Sequence, residues 1–136
     1  MSDDRASARL LVVDDDDAMR RFLRRHLEEA GHVVAEAADL AAAATALVRS
    51  RFDLVLLDLH LGTRSGLELF DLPGVELPAT IVLSGDRDGA SVRRARAAGA
   101  CDFVQKPVSG VALRDHVRRA LSAAPRAPAS AAPRPV

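Results

Sequence analysis

Short apolar runs alternate along the chain with longer stretches of mixed polarity. The runs cover 10–13, 33–35, 54–57 and 81–83, and a fifth strand of mixed polarity is predicted at 101–105. Each has the length of a strand, and runs such as Leu54-Val55-Leu56-Leu57 are apolar at every position. Continuous apolar runs of this length favour strands that are buried on both faces of a parallel sheet.

The segments between the runs have the spacing of amphipathic helices. The first segment places side chains at i, i+3, i+4, i+7, i+8 and i+11, at Met19, Phe22, Leu23, His26, Leu27 and Ala30. This spacing predicts one buried helix face. Asp16 or Asp17 is suited to cap this helix, and Asp39 to cap the next. The third helix, near Gly66–Phe70, is predicted to be short because prolines and a glycine follow it closely.

Five strand–helix units predict an α/β fold, a doubly wound five-stranded parallel sheet with helices on both faces. Right-handed crossovers bring the carboxyl end of every strand to one edge of such a sheet. Ligands of this class of protein bind at that edge. We therefore expect the functional residues to lie directly after the strands.

The length of 136 residues indicates one domain, since domains have roughly 100–200 residues. We expect it to span 8–122, after a short N-terminal extension at 1–7. The Ala/Pro-rich tail at 123–136 is predicted to be disordered or a stiff linker, because its prolines exclude a regular helix.

Composition excludes several classes of function. Nineteen basic residues balance nineteen acidic ones, so no overall field attracts nucleic acid or an anionic membrane. The chain has no run of about 18 apolar residues and no signal-peptide pattern, which favours a cytoplasmic protein. The single cysteine, Cys101, cannot form an internal disulfide, and we expect it to be buried in the fifth strand.

Polar side chains follow four of the predicted strands directly. Asp14 and Asp15 follow the first, Asp58 the third, Ser84 the fourth and Lys106 the fifth. Carboxylates held close together repel one another, and a divalent cation with oxygen ligands such as Mg²⁺ relieves that repulsion. Lys106, the only lysine among 19 basic residues, is suited to pair with a phosphate oxygen. The set predicts a site for phosphoryl transfer with an aspartate as nucleophile.

Five motifs in order resemble the receiver domain of two-component response regulators over about 8–121. They are Leu-Val-Val-Asp-Asp at 11–15, Leu-Leu-Asp-Leu-His-Leu at 56–61, Leu-Ser-Gly at 83–85, Gly-Ala-Cys-Asp-Phe at 99–103 and Gln-Lys-Pro at 105–107. The resemblance implies a flavodoxin-like sheet of order 2-1-3-4-5. It also implies a phosphoacceptor that is not a turnover enzyme. We expect a stand-alone receiver domain or a piece of a longer regulator.

The resemblance also implies a role for each site residue. Asp58 would be the phosphoacceptor, and Lys106 would pair with the phosphate. Mg²⁺ would be held by Asp14, Asp15, Asp58 and the backbone carbonyl of His60. Ser84 and Phe103 would be the switch residues. The phosphoryl donor would be the phosphohistidine of a sensor histidine kinase or of a histidine phosphotransfer protein. The response would be a change in the face formed by the fourth helix, fifth strand and fifth helix, which would bind a protein partner or a second copy.

Alternative interpretations remain at this point. A small phosphatase of the haloacid dehalogenase type would use Asp14 as its nucleophile, together with Asp16. A pseudo-receiver would keep the fold as an interaction module without switching. The four aspartates at 14–17 also suit a solvated turn and helix cap, which is the better interpretation for Asp16 and Asp17. A solvated face is the usual place for arginines such as Arg93, Arg94 and Arg118. They would instead belong to a partner surface if they lie on the face of the fourth helix, fifth strand and fifth helix. On that face, Asp102 is a candidate for pairing with them across a dimer.

Overall fold

The computed structural model describes residues 7–123, so most of the predicted extension and nearly all of the predicted tail lie outside the described residues. The elements are β1 Arg9–Val13, α1 Asp17–Glu29, β2 Val33–Ala37, α2 Leu40–Arg49, β3 Leu54–Asp58, β4 His60–Leu61, β5 Arg64–Ser65, a 3-10 helix Gly66–Asp71, β6 Ala79–Ser84, α3 Gly89–Ala98, β7 Asp102–Gln105 and α4 Gly110–Ala123. No helix among these is long and apolar enough to cross a membrane.

The five main strands form one parallel sheet of order β2-β1-β3-β6-β7. This confirms the predicted doubly wound α/β fold, with β6 and β7 as the predicted fourth and fifth strands. The predicted fourth and fifth helices are α3 and α4. A separate two-stranded antiparallel hairpin of β4 and β5 follows β3 directly.

Alternating side chains of the strands build a core on each face of the sheet. On one face, Leu10, Val12 and Leu56 pack with Leu23 of α1 and Val117 of α4. On the other face, strand residues pack with α2, the 3-10 helix and α3, in a group that includes Leu11, Val55, Leu57, Val82, Ala43, Leu69 and Ala95. All five residues of β3 are buried, including its last residue, Asp58. The sheet therefore holds the ends of its central strands rigidly.

Two regions differ from the sequence-based expectation or refine it. The shortened third helix is a six-residue 3-10 helix, which begins at a capping box formed by Ser65 and Glu68. The fifth strand begins at Asp102, and the expectation of a buried Cys101 is wrong, because this residue is exposed. Cys101 lies in the turn between α3 and β7, which begins at Gly99 with a φ of 121°.

Gly66 lets the 3-10 helix approach the end of β3 very closely. Its N–H donates to the Leu59 carbonyl at 2.6 Å. A Cβ at this position would lie 2.1 Å from the backbone oxygen of Asp58 and 3.3 Å from the side chain of Leu57. Both neighbours belong to the buried end of β3, so neither can move freely.

We therefore expect Gly66→Ala to lower the free energy of unfolding by about 1–3 kcal/mol, the cost of overpacking a tight site. Urea denaturation followed by circular dichroism measures this. Gly85→Ala is the control, because a Cβ at Gly85 meets no atom within 4 Å. Equal stability of the two variants would contradict the steric argument.

Candidate functional site

The carboxyl ends of β1, β3, β6 and β7 bring four of the predicted residues to one place. Asp14 and Asp58 are 1% and 6% exposed, and the Ser84 residue is fully buried. Each follows or ends a strand whose apolar residues fill the core, so their positions are fixed by that packing. Lys106 follows β7, and its N–H donates to the Ser84 carbonyl at 2.8 Å. The Lys106–Pro107 peptide bond is cis.

Lys106 joins the two buried carboxylates. Its Nζ lies 3.4 Å from Asp14 Oδ2 and 3.4 Å from Asp58 Oδ1. The lysine side chain is 23% exposed, so the ammonium faces both the carboxylates and the opening of the site. One ammonium is thus shared between two negative charges, and the cluster as a whole remains anionic.

Asp15 completes a group of three carboxylates. Ligand oxygens of Asp14, Asp15 and Asp58 lie within 4.8 Å of one another. Asp15 is exposed, and its Oδ2 accepts a hydrogen bond from the N–H of Gly62 at 2.9 Å. Oxygen-only ligands, few in number and partly open to solvent, fit Mg²⁺, which keeps several of its waters. The residues present therefore fit the predicted metal, and the His60 backbone lies beside the cluster, since its N–H donates to Asp58 Oδ1 at 3.3 Å.

Burial and the neighbouring Asp14 charge raise the pKa of Asp58 to about 6. Desolvation is the larger cause, and repulsion from Asp14 adds to it. Lys106 and the His60 N–H, which donates to Asp58 Oδ1 at 3.3 Å, act in the opposite direction. Since neither cancels the effect of burial, the Asp58 carboxylate is held in an unfavourable electrostatic environment that added positive charge would relieve.

Asp86 was not predicted from the sequence, yet it connects several parts of the site. Its N–H donates to Ser84 Oγ at 2.9 Å. Its carboxylate accepts from the Ser91 hydroxyl and pairs with His60 Nε2, each at 3.0 Å. The His60 side chain therefore spans from the end of β3 to the loop after β6, and the Ser84 hydroxyl is linked to the start of α3.

Arg20 is a second residue that sequence reasoning missed. It donates to the backbone carbonyl of Asp14 at 2.7 Å and to Glu36 Oε1 at 2.9 Å. Asp16 caps α1 by accepting from the N–H groups of Ala18 and Met19, as predicted. The loop that carries Asp14 is thus held from both α1 and β2.

Phe103, the predicted switch aromatic, lies within β7 at the register of Val82. It is half-buried and packs against the core face that contains α2 and α3. Asp102, predicted as a candidate for pairing across a dimer, lies 2.8 Å from His116 Nδ1 within the chain.

Comparison with known proteins identifies the family. The family model for the response regulator receiver domain matches residues 10–118 of this chain. KdpE, the KDP operon transcriptional regulatory protein of Escherichia coli, is 36% identical over 128 residues, or 93% of this chain and 56% of KdpE. The sensory/regulatory protein RpfC of Xanthomonas campestris is 34% identical over 115 residues, or 80% of this chain and 16% of RpfC. The chain thus spans only part of the length of these curated relatives.

Solved structures show the same architecture. The receiver domain of NtrX from Brucella abortus superposes with a TM-score of 0.75 at 30% identity, covering 85% of this chain and 99% of that one. A CheY-like receiver domain protein from Methanospirillum hungatei gives a TM-score of 0.75 at 28% identity, with coverage of 84% and 93%. The sheet order, the acidic cluster at its carboxyl edge and the match over residues 10–118 agree: the chain belongs to the response regulator receiver domain family.

Proposed function

We propose that this chain accepts a phosphoryl group on Asp58 from the phosphohistidine of a sensor histidine kinase or of a histidine phosphotransfer protein. The observation that carries the proposal is the buried Asp58 carboxylate, which shares Lys106 Nζ with Asp14 at 3.4 Å to each carboxylate. Family membership supports the same role. We also propose that the protein acts in the cytoplasm.

In the proposed step, an Asp58 carboxylate oxygen attacks the phosphorus of the phosphohistidine. The P–O bond forms as the P–N bond breaks, the imidazole nitrogen keeps the electron pair and takes up a proton, and the product is an acyl phosphate. Lys106 stands beside the acceptor oxygen and pairs with the negative charge of the incoming phosphoryl group.

We propose Asp14, Asp15, Asp58 and the backbone carbonyl of His60 as the residues that hold Mg²⁺. When bound, the ion supplies positive charge that phosphoryl oxygens share. Asp14 and Asp15 would hold that ion close to Asp58, and the Lys106 ammonium supplies a second positive charge next to the Asp58 carboxylate. The mutual repulsion of the three carboxylates supports this assignment, since it falls when a cation binds among them.

Ser84 and Phe103 are the proposed switch residues. The Ser84 hydroxyl oxygen accepts a hydrogen bond from the Asp86 N–H. This hydrogen bond would change if the hydroxyl turned to donate to a phosphoryl oxygen on Asp58. Phe103 is half-buried in the edge strand β7, where a shift of its ring would alter the face of α3, β7 and α4. We propose that this face binds the protein partner.

We expect incubation with acetyl phosphate and Mg²⁺ to add one phosphoryl group, detected as an increase in intact mass. Asp58→Asn removes the nucleophile and keeps the shape of the side chain, so we expect no adduct. Asp71→Asn is the matched control at an exposed aspartate outside the cluster, and we expect it to retain the adduct.

The same experiment separates the alternative functions. Steady release of phosphate that is lost in Asp14→Asn but retained in Asp58→Asn would support a phosphatase of the haloacid dehalogenase type. Absence of an adduct in a folded protein that binds Mg²⁺ would support a non-switching interaction module. Either result would contradict the proposed acceptor.

We further expect Asp58→Asn to stabilise the metal-free protein at pH 8. The folded-state pKa of about 6 lies above the unfolded value, so the folded state binds more protons between pH 4 and 6 and loses stability as the pH rises through that range. Asp58→Asn has no carboxyl group at this position, so it does not lose stability in this way as the pH rises. We expect a gain on the order of 1 kcal/mol at pH 8, or about 4 °C in Tm, which shrinks below pH 4.

Thermal unfolding in EDTA at a series of pH values measures this difference. Asp71→Asn serves again as the control, and we expect its Tm to follow that of the wild type. A wild type that is at least as stable as Asp58→Asn at pH 8 would show that burial of this charge carries no cost.

A further inference from the structure

Arg20 of α1 binds three different groups with its three guanidinium nitrogens. Nη1 donates to the backbone carbonyl of Asp14 at 2.7 Å, and Nε donates to Glu36 Oε1 of β2 at 2.9 Å. Nη2 pairs with Asp17 in the first turn of the same helix. The side chain is only 14% exposed, so the protein and not solvent determines its orientation. Arg20 therefore ties the loop after β1 to the edge strand β2.

The carbonyl that Arg20 holds belongs to the peptide between the two consecutive aspartates, Asp14 and Asp15. The remaining polar atoms of Asp14 also have partners. Its N–H donates to a carbonyl of β2 at 3.1 Å, and its carboxylate accepts from the Asp16 N–H at 2.9 Å. Loss of the guanidinium removes the donor to the Asp14 carbonyl and leaves the peptide before Asp15 free to turn.

Asp15 depends on that peptide more than the other two carboxylates of the cluster do. Asp14 and Asp58 are buried, whereas Asp15 is exposed. Among the described residues, the Asp15 carboxylate accepts one hydrogen bond, from the Gly62 N–H at 2.9 Å. A side chain with so few contacts takes its direction largely from its own backbone. Groups that orient metal ligands in this indirect way commonly change metal affinity by about 10–100-fold when they are removed.

We propose that Arg20 is a positioning residue that sets the Mg²⁺ affinity of the acceptor site, an inference that rests on the proposed Mg²⁺ site. It acts through the peptide between Asp14 and Asp15 and does not itself bind the ion. The charge of Arg20 alone has the opposite effect, because a cation near an anionic cluster opposes the binding of a second cation. Removal of Arg20 thus weakens Mg²⁺ binding if it positions Asp15, and strengthens Mg²⁺ binding if only its charge matters.

The test titrates Mg²⁺ into the ¹⁵N-labelled full chain and follows the backbone amide shifts of residues 14–16 and 58–60. We expect Arg20→Met to weaken Mg²⁺ binding at least about tenfold. We expect Arg20→Lys to weaken it at least about fivefold, because one ammonium cannot span the three acceptors that the guanidinium reaches. Arg20→Lys keeps the charge and the aliphatic stem, so it decides the question if Arg20→Met does not fold.

Arg24→Met is the matched control. Arg24 lies one turn further along α1 and donates to the same Glu36 carboxylate at 2.9 Å, but none of its hydrogen bonds reaches the loop after β1. Its removal takes the same charge from the same ion-pair network. We expect the Mg²⁺ affinity of Arg24→Met to stay within about twofold of the wild type, since exposed ion pairs contribute little.

The metal-free protein supplies a second measurement. The Gly62 amide proton reports the position of the Asp15 carboxylate, to which it donates. In EDTA, we expect Arg20→Met to shift this proton upfield and Arg24→Met to leave it in place. A general loss of stability would lower the Tm without moving this amide.

Phosphoryl uptake separates binding of the ion from the reaction that follows. We expect Arg20→Met to take up a phosphoryl group from acetyl phosphate as fully as the wild type once Mg²⁺ is raised enough to offset the roughly tenfold weaker binding. A defect in uptake that persists at saturating Mg²⁺ would show that Arg20 acts on the reaction and not on the ion, and would overturn the inference.

The remaining outcomes are equally decisive. Unchanged or tighter Mg²⁺ binding by Arg20→Met and Arg20→Lys overturns the inference and leaves the proposed Mg²⁺ site standing. Equal weakening by Arg24→Met assigns the effect to the ion-pair network as a whole and also overturns it. Absence of Mg²⁺ binding in the wild type sinks the proposed Mg²⁺ site and the inference together.

Discussion

The contact of one ammonium with two buried carboxylates is the interaction on which the site depends. Lys106 Nζ lies 3.4 Å from both Asp14 and Asp58, and the three residues come from three different strand ends. Parallel pairing of β1, β3, β6 and β7 sets those ends side by side, and the two apolar cores hold them there. Burial of like charges is costly, and the sheet supplies the stability that keeps them together.

The same electrostatic arrangement explains why the site favours a bound cation. A single lysine cannot neutralise three carboxylates, so the cluster keeps a net negative charge that a cation would balance. The neighbouring polar groups are organised around it: Gly62 donates to Asp15, and Asp86 donates to the Ser84 hydroxyl.

The sequence predicted those parts of the molecule that follow from local pattern. Abrupt changes from apolar runs to Asp14, Asp58, Ser84 and Lys106 marked the strand ends, and parallel topology then brought these residues together. Asp86 and Arg20 were missed, because their contacts depend on the paths of loops and on which helix packs beside which strand. The exposure of Cys101 was missed for a similar reason: apolar character near a strand does not determine where the turn before it ends. Prolines signalled a short third helix, but its 3-10 hydrogen bonding has no clear signature in sequence.

The separation of the site residues along the chain has a consequence for folding. Asp14 and Lys106 are 92 residues apart, and β7 is the last strand of the sheet. Contacts between such distant residues form late and carry a large loop-closure cost. During synthesis, β1 and β3 emerge well before β7, so both aspartates are made before the lysine. Until β7 joins the edge of the sheet, the carboxylates of Asp14 and Asp58 lack the counter-charge that Lys106 supplies in the folded domain.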